Sequence, residues 1–196
     1  MNEIDIFYPT SQAAWRQWLV KYHLSKSAVW LVFYRKSSNK PSLTWSEAVD
    51  VALCFGWIDS KKVKIDNEAS RQLFSRRKPQ STWSKINKEK VQRLIAEGQM
   101  EAAGYESIEI ARQNGSWTLL DEVEELKIPD DLEIAFARYE GAKDYFLGLS
   151  KTAKKRVLQW VVLARRPETR QKRITEIAEL AADNKLPRAV DDRLNV

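Results

Sequence analysis

One stretch organises the chain: residues 53–65 read LCFGWIDSKKVKI, and residues 73–87 read LFSRRKPQSTWSKIN. The first run ends a helix pattern at Gly56, a residue suited to the left-handed conformation that follows many helices. After Gly56 the side chains alternate between two faces, as in a β-strand. The chain then turns and continues as a second strand that ends near Arg76. This stretch therefore predicts a β-hairpin that enters a basic loop, followed by the start of a further helix.

The segments around the hairpin indicate helices and one more strand. Aromatic residues recur at helical spacing in 15–22, and residues 28–35 are apolar on both alternating sets, as in a strand covered on both faces. Thr44 begins a capping box with Glu47, which predicts the start of another helix. After Pro129 strand signals disappear. We therefore predict an α+β fold: a small, mostly antiparallel sheet covered by helices, followed by an all-helical C-terminal region.

Amino-acid composition and the positions of residues that interrupt helices and strands divide the chain into four parts. We predict an α+β domain at residues 1–118, an acidic linker at 119–128, a helical domain at 129–187 and a flexible tail at 188–196. The chain has 196 residues, of which 43% are hydrophobic and 31% charged, as in an ordinary soluble globular protein. Its length is enough for one large domain or two small ones, each with its own core.

The chain start carries acids and lacks an apolar run, so a secretory signal is not indicated. The longest apolar stretch, around residues 160–164, is far below the roughly 20 residues of a membrane span. We expect a cytoplasmic protein. The single Cys54 and single His23 cannot supply a disulfide or a zinc ligand set, so we expect no metal and no cofactor. Cys54 is interpreted as a small buried residue and His23 as a helix-end residue.

Charge is distributed unevenly along the chain. Residues 60–93 carry eleven Lys or Arg against three acids, and residues 151–173 carry nine against one. Residues 97–140 carry twelve acids against three bases. Such segregation can steer a polyanion toward the protein or pair one region of the chain with another.

The organising stretch gathers arginines, hydroxyls, an amide and indoles, which are the groups that hold an anion or a planar ligand. We predict that Arg76, Arg77 and Lys78 bind a carboxylate or phosphate, with tryptophans as flat walls and with a helix N-terminus near Ser84 adding N–H donors. The predicted ligand-binding residues are Trp57, Asp59, Arg76, Arg77, Ser81, Trp83, Ser84 and Asn87.

Three alternatives stay open at this point. The tryptophans could fill the core while Arg76 pairs with Asp59. Asp59 could instead act as a general base in an enzyme for a small anionic substrate, although an Arg neighbour lowers a carboxylate pKa and makes a poor base. The basic helices in residues 151–173 could serve as a nucleic-acid or peptide adaptor. Because no nucleophile accompanies a base, the sequence favours binding over a reaction.

The same motifs resemble the YdeI/OmpD-associated family, and the resemblance spans residues 15–185. It rests on residues 53–59, 74–77, 81–87, 98–100 and 169–174. Ser60 is a departure, because the family often has Gly there. The resemblance implies a soluble bacterial protein linked to protection against bacteriocins or cationic antimicrobial peptides. We therefore predict a cytoplasmic binding or stress-protection protein with a basic, aromatic pocket for a small anionic ligand or peptide.

Overall fold

The computed structural model describes residues 4–191, which divide into two compact units. The first unit ends at Trp117, and the second begins at Thr118. The first combines a sheet with helices, and the second is helical throughout its described part. The predicted fold class, an α+β region followed by an all-helical region, is confirmed.

The first unit is built on a mixed four-stranded sheet in the order β1-β2-β4-β3. Its elements are β1 (Ile6–Phe7), α1 (Gln12–Tyr22), β2 (Ala28–Tyr34), a 3₁₀ turn (Lys36–Ser38), α2 (Trp45–Cys54), β3 (Trp57–Lys64), β4 (Ala69–Arg76), α3 (Lys85–Ala96) and α4 (Ala102–Gln113). Strand β1 runs parallel to β2, whereas the other pairings are antiparallel. The sheet is therefore mostly antiparallel, and β3 and β4 form the predicted hairpin.

The core of the first unit is aromatic where α1 meets the sheet. Trp15 is fully buried, contacts the ring of Phe74 edge-on at 5.7 Å, and donates its indole N–H to the carbonyl of Ala48 at 3.1 Å. The predicted capping box starts α2: the Thr44 hydroxyl accepts from the N–H of Glu47, and the Glu47 carboxylate accepts from the N–H of Thr44. These contacts tie α1 and α2 together.

Cys54 and His23 lie where the sequence suggested. Cys54 is fully buried in the core of the first unit, and burial raises the pKa of its thiol. His23 is the C-cap residue of α1, with Nδ1 2.7 Å from the carbonyl of Leu19. Because a carbonyl only accepts, that nitrogen carries the proton.

The second unit is a bundle of short helices around a separate apolar core. Its elements are α5 (Asp121–Glu124), α6 (Asp130–Phe136), α7 (Ala142–Gly148), α8 (Lys151–Val162), α9 (Pro167–Ala182) and α10 (Arg188–Asp191). Phe136 and Phe146 pack with ring centroids 5.3 Å apart, and Val157 and Ile174 are fully buried beside them. Across residues 4–191, no helix combines the length and the apolar character that crossing a bilayer requires.

Two segments predicted to be irregular carry structure. Residues 119–128, the predicted acidic linker, contain α5, and Leu120 and Val123 are buried in the second core. This segment therefore packs as part of the second unit. The predicted flexible tail begins with α10, whose Val190 is also buried there. Residues 192–196 of that tail lie outside the described residues.

An ion pair joins α6 to α9 within the second unit. Arg170 donates Nε–H to one oxygen of Asp131 at 2.6 Å and Nη2–H to the other at 2.9 Å. The hydrogen bonds from Arg170 lower the pKa of Asp131. A carboxylate whose pKa is lowered by folding stabilises the native state above its unfolded pKa, near 4, and loses that contribution as the pH falls through the lower folded value.

The Asp131–Arg170 pair predicts a pH-dependent effect of Asp131→Asn. At about pH 7 the substitution is expected to lower the free energy of unfolding by up to about 1 kcal/mol, because both side chains are partly exposed and water weakens the pair. As the pH falls below about 4 and Asp131 becomes protonated, the difference between wild type and variant is expected to shrink. Urea unfolding at about pH 7 and at a series of lower pH values measures the difference; a loss that does not change with pH would contradict the ionic role of Asp131.

Candidate functional site

A cleft of about 210 Å³ opens in the first unit beside the end of β4. Three consecutive cations, Arg76, Arg77 and Lys78, line it. Helix α4 contributes residues at helical spacing, and the end of α2 and the loop before α3 contribute apolar groups. The α4 residues are Ala103, Glu106, Ser107 and Ile110, and the apolar neighbours include Phe55, Pro79 and Trp83. The cleft is therefore basic on the side formed by Arg76, Arg77 and Lys78, and its other side combines polar and apolar groups.

Gly56 sets the geometry of the cleft. Its φ of +68° is the left-handed conformation predicted from the sequence, and it turns the chain from α2 into β3. Its carbonyl accepts a hydrogen bond from the N–H of Arg77 at 2.9 Å. A Cβ at this position would lie 2.7 Å from the carbonyl oxygen of Ala103, so α4 approaches the backbone here closely. Glycine thus brings the α4 side and the arginine side into one cleft.

The start of α4 is fixed against the end of α2. The N–H of Glu101 donates to the carbonyl of Cys54 at 3.0 Å. Gly104 packs so tightly on the same carbonyl that a Cβ would overlap it. Arg16 on α1 forms an ion pair with Glu101 and lies over the ring of Phe55 at 5.1 Å. These contacts hold both sides of the cleft in place without a ligand.

Arg77 is the least exposed of the three cations that line the cleft. Its guanidinium lies 3.7 Å from the centre of the Trp83 ring, and its Nη2 donates to the carbonyl of Thr82 at 2.6 Å. Its Nη1 is buried and has no hydrogen-bond partner among the described residues. Burial lowers the pKa of Arg77 to about 10, and the negative charge of Asp59 opposes that shift. A buried donor without an acceptor costs folding free energy.

The neighbouring cations are exposed and free. Arg76 and Lys78 are exposed, and within residues 4–191 neither side chain has a hydrogen bond or ion pair to a protein group. Like charges on consecutive residues repel one another, and an anion that neutralises them relieves the repulsion. Arg76 and Lys78 therefore present exposed donors at the cleft.

The tryptophans do not form the flat walls that the sequence suggested. Trp57 is fully buried, contacts Trp18 edge-on at 5.8 Å, and does not line the cleft. Its indole N–H donates to the carbonyl of His23 at 3.3 Å, so it supports the cleft from the core. Trp83 lines the cleft, but it is 1% exposed and the guanidinium of Arg77 covers its ring. Its role is therefore to hold Arg77.

Asp59 does not pair with Arg76. The strand register places Asp59 opposite Phe74 and Arg76 opposite Trp57. The Asp59 carboxylate instead accepts hydrogen bonds from the indole of Trp45 and the side-chain amide of Gln72, both at 2.8 Å. The alternative in which Arg76 pairs with Asp59 does not hold, because a two-residue offset in the strand register separates them. Asp59 also does not line the cleft.

This position predicts the effect of Asp59→Asn on anion binding. Asparagine keeps an oxygen acceptor for Trp45 and Gln72, and removing the negative charge leaves Arg77 more available to an anion. Anion affinity is expected to stay equal or to rise by up to about threefold, as for a weak electrostatic coupling. Calorimetric titration with phosphate measures it; a large loss of affinity would restore Asp59 to the site.

The three polar residues after the cations serve local backbone structure. The Ser81 hydroxyl accepts from the N–H of Lys78 at 3.2 Å, and Ser84 caps α3 by accepting from the N–H of Asn87 at 3.3 Å. None of the three polar side chains lines the cleft, and α3 begins without its N-terminus in the lining. Of the eight predicted site residues, the cleft therefore brings together Arg76, Arg77 and Trp83.

Sequence reasoning missed the contribution of α4. The predicted site did not include the helix face formed by Ala103, Glu106, Ser107 and Ile110. Their spacing of three, four and seven residues places them on one helix face. The available signal was the run of small residues at 103 and 104, which permits close backbone packing against a glycine turn.

Two family models match the chain, and each match lies within one of its two structural units. Residues 7–107 match the family model described as a domain of unknown function, DUF8412. The chain belongs to this family. Residues 125–184 match a second model, described as Bacteriocin-protection, YdeI or OmpD-Associated, which confirms the resemblance for that part of the chain. Searches of curated proteins and of solved structures each found no match.

The DUF8412 match contains the cleft except for Ile110. The hairpin and arginine motifs that suggested the YdeI/OmpD-associated family lie inside this region as well, so they belong to the DUF8412 part of the chain. Of the motifs used for the resemblance, residues 169–174 lie inside the second match. The cleft is thus a feature of the DUF8412 region.

The motif at residues 169–174 has a packing role in the second unit. Arg170 pairs with Asp131, Ile174 is fully buried, and Arg173 donates to the carbonyl of Trp160 while its guanidinium lies 5.1 Å from that ring. These contacts join α9 to α6 and α8. The motif therefore stabilises the helical bundle.

The same contacts reduce the basic surface available to a nucleic acid. In residues 151–173, Lys155 pairs with Glu124, and Arg170 and Arg173 are engaged within the bundle. The exposed cations left in this segment are Lys151, Arg165, Arg166 and Lys172. No observation in the second unit thus favours the nucleic-acid or peptide adaptor over a solvated helical surface.

Proposed function

We propose that this chain is a binding protein whose cleft takes a small molecule with a carboxylate or phosphate group. The observation that carries the proposal is the position of Arg77, whose side chain lines the cleft together with Arg76 and Lys78 and whose Nη1 is buried without an acceptor among the described residues. Arginine pairs with carboxylate and phosphate through two parallel hydrogen bonds, so its planar fork suits this ligand class.

The energetics of Arg77 support the proposal. Burial lowers the pKa of Arg77 to about 10, which corresponds to roughly 3 kcal/mol of bias against the charged guanidinium in the folded protein. The contact with Trp83 and the hydrogen bond to Thr82 offset part of this cost, each by about 1–2 kcal/mol. A bound anion would raise the pKa of Arg77 again and remove the remaining penalty. The protein thus keeps a mostly buried cation that an anion in the cleft would stabilise further.

The size of the cleft limits the ligand. Pockets for drug-sized ligands have about 300–1,000 Å³, whereas this cleft has about 210 Å³. A molecule with a few to about ten non-hydrogen atoms therefore suits it better than a nucleotide or a folded peptide. This scale fits a simple carboxylate or a phosphorylated fragment.

We also propose a wider biological setting. The description of the family matched by residues 125–184 includes bacteriocin protection, and a stress-protection role in the cytoplasm is consistent with a small-molecule-binding domain attached to that region. In this proposal the DUF8412 region binds the anionic ligand, and the helical region carries the protective role. The two roles are separable, because the two regions have separate cores.

Calorimetric titration of the full chain with acetate and with inorganic phosphate tests the binding proposal. Ionic strength is held constant with sodium chloride so that non-specific screening does not change. Saturable binding to one site is expected, and a ceiling of about 1.5 kcal/mol per non-hydrogen atom limits the Kd for acetate to no tighter than roughly 0.04 mM. Heats that never saturate with either anion would overturn the proposal.

A further inference from the structure

The cleft holds opposite charges that are not paired with each other. Arg76 and Lys78 lie on its basic side, and Glu106 of α4 also lines it. Glu106 is exposed and has no ion pair or hydrogen bond to a protein group among the described residues. A carboxylate beside three cations normally forms an ion pair when it can reach one. Here the two charge types stay apart across the cleft.

Donors and acceptors are also separated. The basic side offers only donors, since guanidinium and ammonium groups cannot accept. On α4 the Ser107 hydroxyl donates to the carbonyl of Gly104 at 2.8 Å, so its oxygen presents lone pairs. Glu106 adjoins it in sequence and adds a carboxylate acceptor. The α4 side is therefore suited to a cation, which a plain anion would not satisfy.

Apolar groups supply the rest of the lining. Phe55, Ile110 and Leu24 all line the same cleft. Methylene or other hydrocarbon groups of a ligand would cover this surface and remove it from water. The lining thus combines a donor side for an anion, an acceptor side for a cation and apolar surface for a short carbon linker.

We infer that the ligand is a zwitterion of the amino-carboxylate class, with its anionic group on Arg76, Arg77 and Lys78 and its ammonium group on Glu106 and Ser107. This inference rests on the proposed anion-binding function and adds the second charge. A purely anionic ligand meets repulsion from Glu106, whereas an ammonium group turns that repulsion into attraction. Zwitterions of this kind also have the small size that the cleft accommodates.

Matched pairs of probes test the inference. Butyrate, valerate and caproate are titrated against γ-aminobutyrate, δ-aminovalerate and ε-aminocaproate at constant ionic strength, with the full chain in each case. Each pair shares a carboxylate and a carbon chain, so a difference reports the ammonium group. For at least one of the three pairs, the amino compound is expected to bind about twofold to fivefold more tightly than the plain carboxylate. This is the range of a solvent-exposed ion pair.

Two variants of α4 locate the effect. In Glu106→Gln the preference for the amino compound is expected to disappear, and plain carboxylates bind equally or slightly more tightly because the repulsion is gone. Glu109→Gln removes the same charge from the same helix outside the cleft, and it should keep the preference.

Carboxylates that bind with no preference at any length, or a preference that survives Glu106→Gln, overturn the zwitterion inference alone. Absence of binding by every probe overturns the anion-binding function itself.

Discussion

Arg77→Met is expected to abolish anion binding while changing the free energy of unfolding by no more than about 1 kcal/mol. The lost hydrogen bond to Thr82 and the lost contact with Trp83 each cost about 1–2 kcal/mol. Removing the buried charge raises the free energy of unfolding by roughly 3 kcal/mol, the cost that corresponds to the lowered pKa of Arg77. The terms nearly cancel for stability, whereas anion binding loses the guanidinium of Arg77 from the cleft lining.

Arg71→Met is the matched control for this substitution. Arg71 also lies against an indole, with its guanidinium 4.7 Å from the ring of Trp30, and its Nε is also buried without a partner. It does not line the cleft. Calorimetry with phosphate and urea unfolding are run on both variants. Arg71→Met is expected to keep the affinity; equal losses of affinity in the two variants would show that general charge, and not the cleft, attracts the anion.

Gly56→Ala is expected to lower the free energy of unfolding by about 2–5 kcal/mol. A left-handed conformation costs an alanine roughly 1–2 kcal/mol. The added Cβ also meets the carbonyl oxygen of Ala103 at 2.7 Å, and such overpacking costs about 1–3 kcal/mol because backbone cannot rotate aside. The carbonyl of Gly56 accepts a hydrogen bond from the N–H of Arg77, so a shift of this backbone also displaces Arg77. Anion affinity should therefore fall as well.

Gly98→Ala separates the two causes. Gly98 has a φ of +65°, but a Cβ there meets nothing within 4 Å. This variant should show only the conformational cost, about 1–2 kcal/mol, with anion affinity unchanged. Urea unfolding compares the two substitutions directly. If both lose the same stability, close packing of α4 against the Gly56 turn does not contribute.

The sequence predicted those features of the fold that arise from local interactions. The glycine turn at Gly56, the capping box at Thr44 and the hairpin between β3 and β4 each depend on residues within a few positions of one another. The helical character after Pro129 followed from apolar spacing in the same way. Such patterns specify secondary structure without knowledge of what packs on it.

The candidate site was predicted only in part because its geometry is set by distant contacts. Arg77 was found from its own chemistry, but the facing residue Glu106 reaches the cleft only because α4 packs on the end of α2. The pairing of Asp59 with Arg76 failed because strand register depends on the whole sheet, where Gln72 and Trp45 take the carboxylate. The tryptophans were assigned as ligand walls, whereas burial in the core takes Trp57 out of reach.

The most direct test of the anion-binding cleft follows the Nε–Hε signal of Arg77 by NMR during a phosphate titration at constant ionic strength. The signal is assigned by its absence in Arg77→Met. A saturable shift of the Arg77 signal is expected, with the Arg71 signal unmoved, because the buried guanidinium gains an acceptor in the cleft. An Arg77 signal that stays in place, or that drifts without saturation together with Arg71, would contradict anion binding in this cleft.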